Sequence, residues 1–327
     1  MKIDAAILIG DRGKFFPVQG GNKNFLDLHG LPLFFYSIKA LEESPYINRI
    51  FIVGDQARIK NTIAGHSRAL KTPDKIIALE QKRNLFENVF VAFEEALSVE
   101  RKNNRSAEWT GEEKAMLYMP GDTPLIAAQE IDEFIEQCDV NSIDYFLGMS
   151  TEEGLKPFYP TKKERGIKMA YFYVKGKKYR QNNLHLIKPF KIQNRHCIQR
   201  MYDYRYQKQV IYFLKLLLAF YRAHLQRRGI YYFLILHWNL FLARIGLESL
   251  TPPFRRMISL EGIEEVIRNF LGCRFKIVET KLPGAALDID NEKDYETMKI
   301  QFHFWRDYQS DLIDAFLKSR LPIESAQ

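Results

Sequence analysis

The sequence predicts an α/β protein built on a mostly parallel sheet with helices on both faces. Two observations carry this. Short apolar runs recur, each closed by glycine or a turn residue: Ala5–Ile9 before Gly10, Arg49–Val53 before Gly54, and the run from Met116 before Pro120 and Gly121. Runs of that length, bounded in that way, suit buried strands better than helices. Between them lie segments with apolar residues at helical spacing, and strands alternating with helices imply parallel pairing through crossover helices.

The chain has 327 residues, 46% of them hydrophobic, enough for one large α/β domain or for a domain carrying an insertion. A net charge of +8 favours anionic partners such as nucleotides, nucleic acid or acidic lipid headgroups, without choosing among them. The three cysteines, Cys138, Cys197 and Cys273, are far apart and have no ligand at metal spacing, so neither a disulfide framework nor a zinc site is expected. A reducing cytoplasm fits them, and the start of the chain has too short an apolar run for a signal peptide.

Taken in order, a strand at Ala5–Ile9 feeds a basic, glycine-containing loop, then a helix over Leu33–Glu43 and a strand over Arg49–Val53. A helix over Ala57–Gly65 and a strand over Lys75–Leu79 repeat the unit. Asn84 is a candidate N-cap for a helix whose apolar stripe is Leu85, Val89, Ala92, Phe93 and Ala96. After a polar loop over Lys102–Glu113 come the strand from Met116, a helix over Ala127–Cys138 and a strand over Asp144–Met149. Ala170–Val174 and Asn183–Pro189 read as strands around a Gly176-Lys177-Lys178 turn.

Residues 194–248 form a hydrophobic insertion. Its two apolar stretches, Val210–Ala223 and Gly229–Ala243, are too interrupted to span a membrane. Lys208, Lys215 and Arg222 share one helical face, so a hairpin lying on a membrane surface over 208–247 is one reading, and a buried helical subdomain or oligomer interface is the other. Alternation resumes with a helix over Gly262–Leu271 and a strand over Arg274–Val278. Residues 1–193 and 249–300 would then be one domain, with 301–327 a helical tail.

Candidate chemistry sits at strand ends. Gly10 and Gly13 allow backbone N–H groups to approach a ligand, and Arg12, Lys14 and Lys23 add positive charge, a combination suited to a polyphosphate. The spacing is neither that of a P-loop nor that of the dinucleotide fingerprint. Gln81, Asn84 and Asn88 follow another strand, where open α/β sheets bind ligands, although helix capping accounts equally well for Asn84. Asp122 stands at a third strand end, where a turn or helix cap would account for it. Asp288 and Asp290 share one strand face.

These segments resemble the sugar-phosphate and cofactor nucleotidyltransferases, a family with a GT-A-like, Rossmann-like fold that includes the molybdenum-cofactor guanylyl- and cytidylyltransferases. Leu8, Gly10 and Gly13 stand in the family's loop, Lys23 at its lysine, and Leu26, Gly30, Pro32 and Leu33 in the segment beyond. Gly121-Asp122-Thr123-Pro124-Leu125 matches its second motif, and Leu287–Lys299 its third. Two positions depart: Asp11 replaces a glycine, and Phe15 an arginine.

The resemblance implies transfer of a nucleotidyl group from an NTP to a phosphorylated acceptor (sugar, polyol, cofactor or lipid phosphate), with pyrophosphate released and no nucleic acid involved. It implies nucleotide binding by Gly10, Asp11, Arg12, Gly13, Lys14, Lys23, Gln81, Asn84 and Asn88, and catalysis by Lys23, Asp122 and Asp290. A Mg2+ ion would be held by Asp122 with Asp290 or Asp288, and the acceptor would meet Asn183 and His185. A non-catalytic nucleotide-binding protein remains open, as does a GT-A glycosyltransferase, although Gly121-Asp122-Thr123 lacks that group's second aspartate.

Overall fold

The computed structural model describes residues 2–12, 17–103, 111–174, 177–195 and 257–320, with the single positions 231, 235, 238 and 253. Strands β1 (Ile3–Leu8), β4 (Ile47–Gly54), β5 (Ile76–Glu80), β6 (Met116–Pro120), β7 (Tyr145–Thr151), β9 (Lys177–Ile187) and β10 (Phe275–Thr280) form one sheet in the order β10-β7-β9-β6-β1-β4-β5. An eighth strand, β8 (Phe172–Val174), pairs with the start of β9, β2 (Asp27–Leu28) and β3 (Leu31–Pro32) form a separate antiparallel pair, and a short helix, α5 (Glu152–Leu155), follows β7. The expected α/β class is the class of the chain. β1, β4, β5 and β6 are mutually parallel, as are β7 and β10, whereas β9 runs antiparallel to both β6 and β7.

The alternation of side chains along the central strands explains why both faces must be covered. Ala5 and Ile7 of β1, Ile50 and Ile52 of β4, and Leu117 and Met119 of β6 pack with α1 (Leu33–Glu43), α2 (Gln56–Gly65) and α4 (Ala128–Glu136). Their neighbours Ala6, Phe51, Val53, Met116 and Tyr118 face α3 (Leu85–Asn103) and α6 (Leu260–Leu271). A strand apolar on both faces is stable only between two helical layers. Each fully buried Phe or Ile contributes about 1.5–3 kcal/mol.

A third core lies beyond the C-terminal ends of the strands. There α7 (Glu292–Arg320), a single helix of 29 residues, lays Tyr295, Met298, Phe302 and Trp305 on Leu28, Leu33, Phe158 and Leu287. Residues 301–320, expected as a separate tail, therefore continue the helix that opens at Glu292, and Phe302 and Trp305 bury them on the same core. Most of the expected 208–247 hairpin lies outside the described residues. Within it Tyr231, Ile235 and Trp238 are helical, and Ile235 is buried with Leu147, Met149, Val174 and Ile277 on the sheet. Among the described residues, no helix is long and apolar enough to cross a membrane.

Candidate active site

Parallel β1 and β6 pair Leu8 with Pro120, so the loops after both strands leave the same sheet edge side by side. Their approach requires Gly121. A Cβ there would stand 2.5 Å from Ile9 Cγ2 and 2.8 Å from both Asn24 Oδ1 and Phe34 Cβ, closer than packed atoms tolerate. The segment after β10 joins them through the Ile289 N–H, which donates to the Asp122 carbonyl at 3.1 Å.

Lys23 is brought in by Asn22. The Asn22 amide donates to the Ile9 carbonyl at 2.8 Å, and its oxygen caps the short turn Lys23–Phe25 by accepting from Asn24 N at 3.1 Å. The Lys23 ammonium then lies 2.5 Å from Asp122 Oδ2 and 3.7 Å from Asp290 Oδ1, and it donates to the Ile289 carbonyl. The three residues expected to be catalytic thus meet at one point.

Their surroundings differ. The Asp122 side chain is 8% exposed and that of Asp290 60%. Asp122 Oδ1 is one of three buried polar side-chain atoms among the described residues with no hydrogen-bond partner. Burial pushes the Asp122 carboxyl above its ordinary range, Lys23 opposes this, and the charges of Asp288 and Asp290 add to it. Burial would lower Lys23, but Asp122 first, and then Asp290 and Asp288, hold it above its usual value. Asp122 does not cap α4, which opens at Ala128 with Ala127 as its N-cap and no side-chain cap.

Asp288, expected as an alternative metal ligand, is ion-paired to Arg180 Nη2 at 2.6 Å, and Arg180 Nε also holds the Ala286 carbonyl at 3.0 Å. Among the described residues, no group of three or more His, Cys, Asp or Glu is placed to hold a metal.

The nucleotide-loop residues divide. Gly10 packs where a Cβ would lie 2.8 Å from both Gln81 Oε1 and Asn88 Nδ2. Asp11 N and Arg12 N both donate to Gln81 Oε1, at 2.8 and 3.1 Å, and Gln81 Nε2 donates to Asp11 Oδ1 at 2.7 Å. Arg12 turns to Glu80 at 2.6 Å and to the Gln81 carbonyl at 2.9 Å. Gly13 and Lys14 lie outside the described residues.

Three amides expected near the base are engaged within the protein. Gln81 holds the loop, Asn84 caps α3 by accepting from Glu87 N at 2.9 Å, and Asn88 accepts from Lys82 N at 2.7 Å. Short polar side chains at a strand-to-helix junction satisfy nearby backbone first.

The expected acceptor pair, Asn183 and His185, also makes contacts within the protein. His185 sits within the sheet opposite Tyr118 and Leu147, with the Tyr145 hydroxyl at 2.8 Å from Nδ1 and Gln181 Nε2 at 3.0 Å from Nε2. Tyr145 of β7 and Gln181 of β9 thus each engage one ring nitrogen of His185. Asn183 lies in a bulge of β9, where the register with β7 shifts between Leu147 and Met149. It has φ 62° and donates to the Ala285 carbonyl at 3.2 Å. Bulges of this kind re-aim side chains beside active sites.

Sequence reasoning missed Glu130 and Glu133. From the buried face of α4, Glu130 accepts from Ala285 N at 2.8 Å, while Glu133 accepts from Lys281 N at 3.0 Å and from Leu282 N at 3.4 Å. Together they grip the segment that leads to Asp288 and Asp290. Their signal was present as two acids three residues apart, interleaved with the apolar Ile131 and Phe134.

No protein-family model and no curated protein matches the chain. Solved structures do. A hypothetical transferase from Thermus thermophilus superposes over 90% of this chain and 99% of its own, with a TM-score of 0.55 at 18% identity. The chain has the fold of that transferase. A CMP:2-keto-3-deoxy-manno-octonic acid synthetase complexed with CTP matches at TM-score 0.41 and 11% identity, over 92% of this chain and 98% of that one. The bifunctional IspDF from Campylobacter jejuni matches at 0.43 and 11%, over 91% of this chain and 54% of that one.

Proposed function

We propose that the chain is a nucleotidyltransferase: an oxygen of a phosphorylated acceptor attacks the α-phosphorus of an NTP, the new P–O bond forms as the α–β bridge breaks, and pyrophosphate leaves. The observation that carries this reading is the convergence of Lys23, Asp122 and Asp290 on one point beside the glycine loop, with a buried carboxylate oxygen left unpartnered. A hard divalent cation fits such a donor set. Asp122 Oδ1 has a lone pair to give, and the 60% exposure of Asp290 leaves room for phosphate oxygens and water. Asp122 and Asp290 would hold magnesium, which when bound neutralises charge building on the leaving phosphates.

The remaining work is positioning. Lys23 offers an ammonium to the triphosphate, and Gln81 holds the loop after Ile9 in place through the Asp11 and Arg12 N–H groups. Arg180 keeps Asp288 paired and leaves Asp290 to the ligand. No protein nucleophile is needed.

The test is pyrophosphate release from each of the four common NTPs with magnesium, against panels of sugar, polyol and lipid phosphates. Acceptor-dependent release with one NTP supports the reading. If the NTPs bind but no acceptor elicits pyrophosphate, the chain is a non-catalytic nucleotide-binding protein.

A further inference from the structure

Lys23 is expected to hold phosphate, yet it spends its charge elsewhere. Its ammonium touches Asp122 Oδ2 at 2.5 Å and the Ile289 carbonyl, and lies 3.7 Å from Asp290 Oδ1. These are the groups a divalent cation would use, and the lysine stands among them as a monovalent cation would. We infer that Lys23 is the resident counter-ion of the cation site: in the nucleotide-free protein its ammonium occupies the position between Asp122 and Asp290, so that a divalent cation and Lys23 compete for it. This rests on the nucleotidyltransferase reading and adds an order to it.

The physical case has three parts. Asp122 is buried, and a buried carboxylate left alone is strongly disfavoured, so Asp122 needs a positive charge beside it. Among the described residues Lys23 is the cation on Asp122, and Arg180 and Arg12 are committed elsewhere, to Asp288 with the Ala286 carbonyl and to Glu80. A lysine also suits a charge that must leave. Its ammonium is a compact point charge on a flexible stem, whereas an arginine fork would lock onto the carboxylate in two places. Asp122 Oδ1 stays unpartnered because one ammonium already taken by Oδ2 and a carbonyl does not reach both oxygens.

A triphosphate entering beside the loop offers Lys23 a second anionic partner. As the ammonium turns toward it, Asp122 and Asp290 are released to the metal that accompanies the nucleotide. Metal and nucleotide therefore favour each other's binding, and this coupling is reciprocal. Without nucleotide, the divalent ion must displace a held lysine and binds weakly.

The experiment is Mn2+ binding to the full chain without nucleotide, followed by electron paramagnetic resonance and calorimetry, for wild type, Lys23→Met, Asp122→Asn and the double variant. Lys23→Met should bind Mn2+ about tenfold tighter than wild type or more, the lower end of what an adjacent unit charge shifts in carboxylate equilibria. The double variant should lose that gain. Lys23→Gln, which can still donate to the Ile289 carbonyl, serves if the methionine variant does not fold. Equal Mn2+ affinity in wild type and Lys23→Met, with binding lost in Asp122→Asn, would overturn the counter-ion role and leave the function standing. A gain that persists in the double variant would overturn it too. No Mn2+ binding in any protein would sink the cation site itself.

Discussion

β1 and β6 carry a carboxylate and a lysine at each end, and the two clusters behave in opposite ways. At the N-terminal end Asp4, 1% exposed, accepts from Arg49 Nε and Nη2 at 2.9 and 2.7 Å, from Lys114 at 2.8 Å and from Asn48 at 3.2 Å. At the C-terminal end Asp122 has one ion partner at 2.5 Å and an oxygen with no hydrogen bond. Burial alone would raise both carboxyls. The hydrogen bonds and charges of Arg49 and Lys114 hold Asp4 below its ordinary value, whereas burial wins at Asp122 and holds it above. Asp4 is saturated by its own chain, whereas Asp122, the carboxylate that the proposed function gives to a ligand, is left short.

The largest expected effect separates the two ends by stability. Asp4→Ala leaves Arg49 and Lys114 buried beside Glu100 without their main partner, and should cost about 3–5 kcal/mol in urea unfolding. Asp122→Asn should cost clearly less than Asp4→Ala, since it removes a carboxylate whose burial Lys23 only partly offsets and Lys23 keeps Asp290 and the Ile289 carbonyl, while turnover falls by about a hundredfold or more. Equal destabilisation by the two substitutions would make Asp122 a second scaffold charge. The pH dependence has a definite sign. Because the folded value of Asp4 is depressed, its contribution is full above 3.8 and is lost as pH falls through that lower folded value.

Glu130 sharpens the comparison from inside α4. It is fully buried, accepts one N–H from Ala285, and burial lifts its carboxyl well above 4.5. Glu130→Ala removes that acceptor and should cost about 1–3 kcal/mol. Glu130→Gln keeps an acceptor and carries no titrating proton. The folded state holds the Glu130 proton more tightly than the unfolded chain. Wild type therefore loses stability as pH rises above 4.5 toward the folded value, and Glu130→Gln should gain on it over that range. Thermal melts of the two proteins from pH 4 upward measure the gap, and a gap constant with pH would mean that Glu130 is charged in the fold. This residue matters for function because the segment it grips leads to Asp288 and Asp290.

The same contrast explains what could be read from sequence. The strand–helix rhythm and the meeting of Lys23, Asp122 and Asp290 were legible because each depends on local pattern: an apolar run, its closing glycine and the polar residue just beyond. Partnerships across the fold were not. Gln81 meets Asp11, 70 residues away, and Arg180 meets Asp288, 108 residues away, and no periodicity encodes either. Alternation also marks a strand without giving its direction. Nothing local foretold that β9 runs antiparallel between β6 and β7 and sets Tyr145 and Gln181 against the two ring nitrogens of His185.

The smallest expected effect concerns Asp11, which belongs to neither type. Its Oδ1 accepts from Gln81 Nε2 at 2.7 Å and its Oδ2 lies 3.4 Å from Asn22 Nδ2, so neutral amides satisfy it and no cation among the described residues is ion-paired to it. Asp11→Asn keeps an oxygen for Gln81 and removes only the charge, leaving the loop latched. Beside a triphosphate a half-exposed carboxylate costs about 1 kcal/mol at 4 Å in water. The variant should therefore bind the active NTP up to about fivefold tighter by calorimetry. Because ions screen exposed charges within about 10 Å at 0.1 M salt, the gain should shrink as salt rises. Weaker binding by Asp11→Asn would reverse the assignment. The carboxylate would then be accepting a hydrogen bond from the nucleotide itself, and the loop would join Asp122 among the groups left short for a ligand.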